Sequence, residues 1–249
     1  MATAALLAGD IFRNRLVRFF GIAALFGGTV ATVVAIILRW LATGHPPLSN
    51  LHESFVFIGF ATGLAALVVE LTFRTRLVGA ASALVAVLAL GYASVLDSSI
   101  RPLMPALKSN WLIIHVTSYF LGYGALAVAT VASALQLAWS FVPGADPASL
   151  KRIDLLAFRL VLLAFPLLTL GLTTGAVWAS FAWGRYWGWD PKETWSLVTW
   201  LVYALYLHLR AMRGWRGRRM AVVALVGFVF VLFTFLGVNF FIGGLHSYR

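Results

Sequence analysis

The chain of 249 residues contains no cysteine. It can therefore form no disulfide bond of its own, and it supplies no thiol to redox chemistry. Any reaction that uses sulfur must take that sulfur from a partner.

Charged residues are scarce: 11% of the chain is Asp, Glu, Lys or Arg, whereas 61% is hydrophobic. Soluble proteins carry about a quarter charged residues, so this composition could not be hidden in one water-soluble core. Several apolar runs reach the roughly 20 residues that a helix needs to cross the hydrocarbon layer. The expected solvent is the lipid bilayer, and the expected fold is all-α, a polytopic bundle of transmembrane helices.

Acidic residues are few as well, with 8 Asp and Glu against 19 Lys and Arg, which gives a net charge of +11. In a soluble protein such an excess would suggest a nucleic-acid partner. Here the basic residues lie between hydrophobic runs, where they orient a chain in the membrane. We therefore expect no nucleic-acid binding.

Uninterrupted apolar stretches predict about seven membrane-spanning helices. Their approximate ranges are 20–41, 55–73, 77–96, 111–142, 155–181, 195–212 and 220–242. The longest connection between them, 97–110, is too short for a soluble domain. Residues 1–249 are thus expected to form a single integral membrane domain.

Basic residues are distributed unequally between alternate connections. Thirteen of the 19 fall on one side of the predicted bundle: Arg13, Arg15, Arg18, Arg74, Arg76, Lys151, Arg152, Arg159, Arg210, Arg213, Arg216, Arg218 and Arg219. The other side holds Arg39, Arg101, Lys108, Arg185, Lys192 and Arg249. By the positive-inside rule, the N-terminus is expected in the cytoplasm and the C-terminus outside.

The predicted topology brings a tryptophan-rich connection, at about 181–195, to the outer side. Four Trp and two Gly lie close together in it: Trp183, Gly184, Trp187, Gly188, Trp189 and Trp195. One interpretation is an aromatic belt, because indole rings favour the membrane interface. The other is a platform for a flat apolar ligand such as a porphyrin, since indole faces stack and exposed glycine backbone allows close approach.

Asp190, Pro191 and Glu193 form a helix-start signature, with a capping Asp, Pro at the first helical position and Glu at the third. The signature predicts a rigid start to the sixth predicted helix. A rigid start would also hold the preceding Trp-rich loop in one place, as a preorganised site requires.

The five histidines are predicted at two levels. His45, His52, His115 and His246 lie on the outer side, whereas His208 lies about 20 Å into the sixth predicted helix, at 1.5 Å per residue. Any one of them could be an ordinary interface residue, and His208 could bond to a neighbouring helix. The alternative for each is a role as metal ligand.

Two outer histidines suit a metal bound against the aromatic platform. His115 falls in the early turns of a helix capped by Ser109 or Asn110, where the helix dipole disfavours imidazolium and leaves a ring nitrogen able to bind metal. His246 follows a Gly-Gly pair that is expected to end the last helix. Two neutral imidazoles from opposite sides would complete the axial coordination of a porphyrin iron.

The Trp-rich segment resembles the tryptophan-rich WWD signature of haem-handling proteins, in the form carried by the CcsA (ResC) subunits of system II cytochrome c synthases. It reads Trp183-Gly184-x-x-Trp187-x-Trp189-Asp190-Pro191-Lys192-Glu193-Thr194-Trp195-Ser196-Leu197. Shorter matches are the turn Ser49–Ser54, Asn110-Trp111-Leu112-x-x-His115, Tyr206-Leu207-His208-x-Arg210 and Gly244–Tyr248. The resemblance covers nearly the whole chain.

This resemblance implies a set of site residues for haem b (iron protoporphyrin IX), which is handled as a substrate. His115 and His246 would ligate haem against the Trp loop and act with Asp190 at the reacting centre. His208 would ligate haem at an inner entry site, where a CcsB (ResB) subunit supplies the other ligand. At position 52 the family commonly has an aromatic residue, and His52 is interpreted as a turn residue.

The resemblance also implies a function in cytochrome c biogenesis. Haem would be delivered across a bacterial cytoplasmic (inner) membrane or a thylakoid membrane and presented on the outer, periplasmic or lumenal side. There the thiols of an apocytochrome c Cys-x-x-Cys-His motif, kept reduced by other proteins, would add to its vinyl groups, which makes the complex a holocytochrome c synthase (haem lyase). Two alternatives stay open: a haem transporter or chaperone that serves a separate ligating enzyme, and a membrane scaffold without cofactor.

Overall fold

The computed structural model describes residues 1–73, 75 and 77–242, and all regular secondary structure in this part of the chain is helical. The α-helices are α1 (Ala2–Ile11), α2 (Arg15–Thr43), α3 (Leu51–Thr72), α4 (Val78–Val95), α5 (Asn110–Trp139), α6 (Pro147–Trp183), α7 (Pro191–Met212), α8 (Arg218–Leu232) and α9 (Val238–Phe241). A 3-10 turn (Pro105–Leu107) precedes α5, and a π-helical turn (Phe233–Gly237) joins α8 to α9.

Each of the seven predicted ranges falls on a helix, but within residues 1–73, 75 and 77–242 six helices are long and apolar enough to cross a membrane. These six, by length and apolar composition, are α2, α3, α4, α5, α6 and the continuous segment Arg218–Phe241. Helix α7 is long enough, yet His208, Arg210 and several aromatic residues make it less apolar. Helix α1 was not predicted, because ten residues are too few to span a bilayer.

The starts of two long helices follow local capping chemistry. Helix α7 begins at Pro191 behind Asp190, as predicted. Helix α5 begins at Asn110 behind Ser109, but the Ser109 side chain forms no capping hydrogen bond with the described residues. Helix α6 begins at Pro147, about two turns before the predicted start, because Asp146 caps it by accepting hydrogen bonds from the next two amides. The same Asp-Pro start therefore occurs at both α6 and α7, and only the start of α7 was predicted from it.

Helix α5 is the centre of the bundle and packs against α3, α4, α6 and α8. Its Gly124 lies so close to α3 that a β-carbon there would come within 2.5 Å of the carbonyl carbon of Ala61. Small residues at such contacts let two backbones approach, which is how membrane helices pack without a hydrophobic driving force.

Buried ion pairs fix helix ends. Arg210 of α7 lies 2.8 Å from Asp154 of α6, and the same carboxylate accepts the Gly217 amide at 2.9 Å. Arg39 of α2 pairs with Glu53 of α3 at 2.7 Å. Because a buried charge is costly without its partner, these pairs hold α6 to α7 and α2 to α3.

Candidate functional site

A cavity of about 450 Å³ opens beside the Trp-rich loop. Five segments line it, at 48–54, 107–123, 172–178, 187–196 and 234–240. Most of the lining side chains are apolar or aromatic, and the volume falls within the roughly 300–1,000 Å³ that is typical of small-molecule sites. Five distant parts of the sequence thus meet around one space.

His115 of α5 lines this cavity with a defined ring orientation. Its Nδ1 lies 2.7 Å from the carbonyl oxygen of Gly171 on α6. Since a carbonyl can only accept, Nδ1 carries the hydrogen, and the lone pair of the neutral ring lies on Nε2. Metal-binding histidines are commonly oriented by a hydrogen bond of this kind.

Two glycines of α6 make room for the rings of α5. A β-carbon on Gly175 would lie 2.4 Å from Nδ1 of His115, and one on Gly171 would lie 2.7 Å from Cδ2 of Tyr119. Gly171 and Gly175, called the glycine notch below, were not predicted as site residues. The sequence feature that could have predicted their contact with α5 is the matching spacing: small residues four apart on one helix and aromatic residues four apart on another.

Trp178 supports the other side of the imidazole. Its ring stacks on that of His115 with centroids 6.0 Å apart and planes 20° from parallel. Its Nε1 donates to the carbonyl of Ala106 at 2.9 Å, and Trp183 packs edge-on against it at 4.8 Å. Trp178 is only 1% exposed. Trp178 was not predicted as a site residue because it lies inside an apolar helix, outside the tryptophan cluster.

The Trp-rich loop turns one indole inward and another outward. Trp187 lines the cavity, whereas Trp189 is 68% exposed and packs edge-on against Trp187 at 5.8 Å. Glu193 accepts hydrogen bonds from the amides of Gly188 and Asp190, at 2.7 and 3.1 Å, and completes a capping box with Asp190. The predicted capping role is confirmed, and it fixes the loop.

Other predicted residues of the loop lie beside the cavity and do not line it. Trp195 packs against Phe233 of the π-helical turn at 4.5 Å. Gly184 ends α6 in the left-handed conformation, with φ of 73°. Gly188 was expected to leave its backbone uncovered, but the Arg185 side chain lies 2.6 Å from where a β-carbon would be.

The remaining histidines have different environments. His208 is exposed on α7, far from the cavity, and forms no hydrogen bond within 1–73, 75 and 77–242. The Nδ1 of His52 donates to Ala93 at 2.8 Å, which ties α3 to α4; His52 is the second residue of α3 and not the turn residue that was expected. His45 lies beside a second cavity, and His246 is outside the described residues.

Lys192, the second residue of α7, also lines the cavity. It precedes the apolar stretch 195–212. Burial lowers the pKa of Lys192 to about 8, although the charge of Asp190 acts in the opposite direction. From the sequence, Lys192 was predicted to be one of the outer basic residues and was not predicted to be a residue of the cavity.

The second cavity, of about 410 Å³, adjoins the first. Leu48, Ser49, Leu107 and Leu112 line both cavities. Glu53 holds Ser49 in this shared wall by accepting hydrogen bonds from its amide and hydroxyl, at 2.7 and 2.8 Å. The part-buried Arg39–Glu53 pair therefore shapes the wall between the two spaces.

Comparisons with known proteins match this architecture. Residues 48–246 match the family described as Cytochrome C assembly protein. The chain is 37% identical to the cytochrome c biogenesis protein CcsA of Mesostigma viride, over 95% of this chain and 88% of that protein. It is 39% identical to CcsA of Prochlorococcus marinus subsp. pastoris, over 86% of this chain and 78% of that protein.

The fold is similar to that of a solved structure, Cytochrome c Heme Lyase CcmF, with a TM-score of 0.69. The similarity covers 94% of this chain and 44% of that one, at 18% sequence identity, so it concerns the fold alone. The sequence matches, at 37% and 39% identity, show the family as well as the fold. The chain belongs to the cytochrome c assembly protein family, which includes the cytochrome c biogenesis protein CcsA, as the tryptophan-rich signature predicted.

Proposed function

We propose that the cavity holds haem b as a substrate and presents it for covalent attachment to apocytochrome c. The observation that carries this proposal is the hydrogen bond from Nδ1 of His115 to the carbonyl of Gly171. It selects the neutral tautomer with its lone pair on Nε2, which is the form that ligates haem iron. His115 is thus the proposed axial ligand.

The lining of the cavity suits a flat and largely apolar macrocycle. Side chains from α5, α6 and the π-helical turn provide apolar walls: Leu112, Val116, Phe120, Leu172 and Phe235. In the proposal, Trp187 forms the shelf for the ring and Trp189 supports it edge-on from outside the cavity, with Trp183 and Gly184 at the edge of the shelf. Asp190 and Trp195 act on haem indirectly, because they fix the position of that shelf.

His246 is the proposed second axial ligand. The match to the family extends to residue 246, so this histidine closes the matched region. Two imidazoles would complete the axial coordination of iron and set its redox potential.

The covalent step uses groups of the apocytochrome. Each cysteine thiol adds across one vinyl group, so that the sulfur bonds to one carbon and the thiol hydrogen goes to the other. No net oxidation occurs. This chain, which has no cysteine, contributes by holding haem in register with the thiols. The histidine of the Cys-x-x-Cys-His motif then replaces one of the two axial ligands, which releases the product.

The proposed topology places the cavity on the outer side, with the N-terminus in the cytoplasm and α7 as a seventh crossing. Support comes from the basic residues, most of which lie toward the opposite ends of the helices. His208 is exposed near that opposite side, where it could share haem with a ligand from a CcsB/ResB-like subunit. The membrane would be a bacterial inner membrane or a thylakoid, since the relatives come from cyanobacteria and chloroplasts.

The decisive experiment is a visible spectrum of the purified full chain, as isolated and after reduction. Wild-type protein should show haem, His115→Gly should lose it, and added imidazole should restore the ligated spectrum. His52→Gly is the matched control, because His52 bonds to Ala93 and does not line the cavity. Unchanged haem content and absorption in His115→Gly would refute the ligand assignment.

Reconstitution separates haem attachment from simple carriage. The full chain with its partner subunit and apocytochrome c should form thioether bonds. Transfer of haem without those bonds would favour the transporter or chaperone instead.

A further inference from the structure

The second cavity, of about 410 Å³, has no part in the proposed function. It lies between the loop that follows α2 and the start of α5. Its floor is apolar, and Lys108, Ser109 and Asn110 line it in succession along the chain. None of the described residues that line it is acidic. The lining therefore favours a ligand group that is anionic and accepts hydrogen bonds.

The start of α5 supplies donors to this cavity. The first amides of a helix have no partner within the helix, and the positive end of its dipole favours an anion. Leu112 and Ile113, in the first turn of α5, line the cavity. The Ser109 side chain accepts no capping hydrogen bond within the described part of the chain. An anion beside Ser109 could therefore take the place of a capping side chain.

Lys108 adds a full positive charge next to these amides. It is exposed, and it forms no ion pair within residues 1–73, 75 and 77–242. His45 lies in the same lining, but its Nδ1 donates to the carbonyl of Pro46 at 3.1 Å. The neutral ring of His45 thus presents an acceptor, so the charge for an anion comes from Lys108.

The two cavities are continuous through a common wall. Leu48, Ser49, Leu107 and Leu112 line both of them. A ligand that fills the first cavity with an apolar body can therefore extend an anionic edge over this wall into the second. Haem has this shape, because its ring is largely apolar and both of its carboxylates lie on one edge.

We propose that the second cavity is an anion subsite that takes the propionate carboxylates of haem, with Lys108 and the first amides of α5 as donors. The inference rests on the proposed haem site in the first cavity. Haem carries its vinyl groups on the half of the ring that is remote from the carboxylates. Carboxylates held in the second cavity therefore keep the vinyl groups in the first, and Lys108 sets the in-plane rotation of the ring.

The other outer cations are less suited to this role. Arg101 lines neither cavity and pairs with Asp97 in an exposed loop at 2.6 Å. Lys192 lines the first cavity, where the charge of Asp190 already acts on it.

The test compares haem with haem dimethyl ester, in which both carboxylates are neutral, on the detergent-purified full chain. Wild-type protein should bind haem about tenfold more tightly than the diester, as expected for a charge-assisted hydrogen bond. Lys108→Met should bind the diester as the wild type does and should lose most of the preference for haem. Lys108→Arg should keep the preference, because it keeps the charge. Arg101→Met, the matched control, should also keep it.

Ser109→Asp tests the start of α5 independently of Lys108. An Asp at this position is a good helix cap, so the thermal stability of the chain should be unchanged or higher. Its carboxylate would occupy the subsite and repel the propionates, so the preference for haem should disappear while binding of the diester is kept. A purely structural role of Ser109 would change the stability and leave the preference as it is.

Full retention of the preference in both Lys108→Met and Ser109→Asp would overturn the anion subsite. Its loss in Arg101→Met would also do so, because the preference would then come from the overall charge of the outer surface. A wild-type chain that binds haem and the diester equally would overturn the subsite and leave the haem site intact. A wild-type chain that binds neither compound would refute the proposed function itself.

Discussion

Gly175 and His115 fit together so closely that a single added methyl group would displace the imidazole, since it would lie 2.4 Å from Nδ1. The acceptor of that nitrogen, the Gly171 carbonyl, belongs to the same helix as Gly175. The path of α6 therefore sets both the space for His115 and its tautomer.

Gly175→Ala should reduce haem retention although it adds only one carbon. The ring of His115 would have to turn away from Gly171, and a misplaced ligand binds iron weakly. The measurement is haem content and the reduced spectrum after purification. Gly91→Ala is the control, because a β-carbon at Gly91 meets no atom within 4 Å. Equal haem content in the two variants would show that the notch does not position His115.

Glu193→Ala should loosen the Trp-rich loop, because it removes the acceptor of the Gly188 and Asp190 amides. Each lost hydrogen bond should lower the free energy of unfolding by about 1 kcal/mol. Haem release should also become faster. Glu193→Gln should retain most of the stability and most of the haem retention, since glutamine also serves in a capping box. Asp146→Ala, at the other Asp-Pro helix start, should lower stability without changing haem release.

Asp154→Asn should destabilise the chain by about 3–5 kcal/mol, because it leaves Arg210 buried without a countercharge. Thermal unfolding in detergent measures this effect. The double variant Asp154→Leu with Arg210→Met should recover part of the stability, since it removes both charges. A double variant less stable than Asp154→Asn would mean that the Gly217 amide bond outweighs the ion pair.

His208→Ala should leave the thermal stability of the isolated chain unchanged, because His208 is exposed and has no hydrogen bond in the described part of the structure. In the complex with its partner subunit, the same variant should lose haem from the inner site. The haem bound at His115 should remain. A clear drop in the stability of the isolated chain would instead support a structural role.

Local signals made part of this molecule predictable. Asp190, Pro191 and Glu193 act through neighbours in the sequence, so the start of α7 could be read directly. The start of α6 carries the same Asp-Pro pair, but its first two turns are polar enough to fall outside an apolar run. Helix starts should therefore be assigned from capping residues before hydropathy.

Contacts between helices could not be predicted from the sequence. The glycine notch depends on how closely α5 approaches α6, and the matching spacing of small and aromatic residues does not give that distance. The same holds for Trp178, whose ring meets His115 only in the fold. The sequence pointed to a loop and a histidine that line one cavity, and the geometry identified the residues that orient them.

The π-helical turn Phe233–Gly237 sets the rotation of the helix that follows it, Val238–Phe241. Each residue of an α-helix advances the chain by about 100°, so deletion of one residue from this turn would rotate the following segment by roughly that angle. Asn239 and Phe240 would then swing away from the cavity that they now line. The wall they form tolerates substitution better than a change in length.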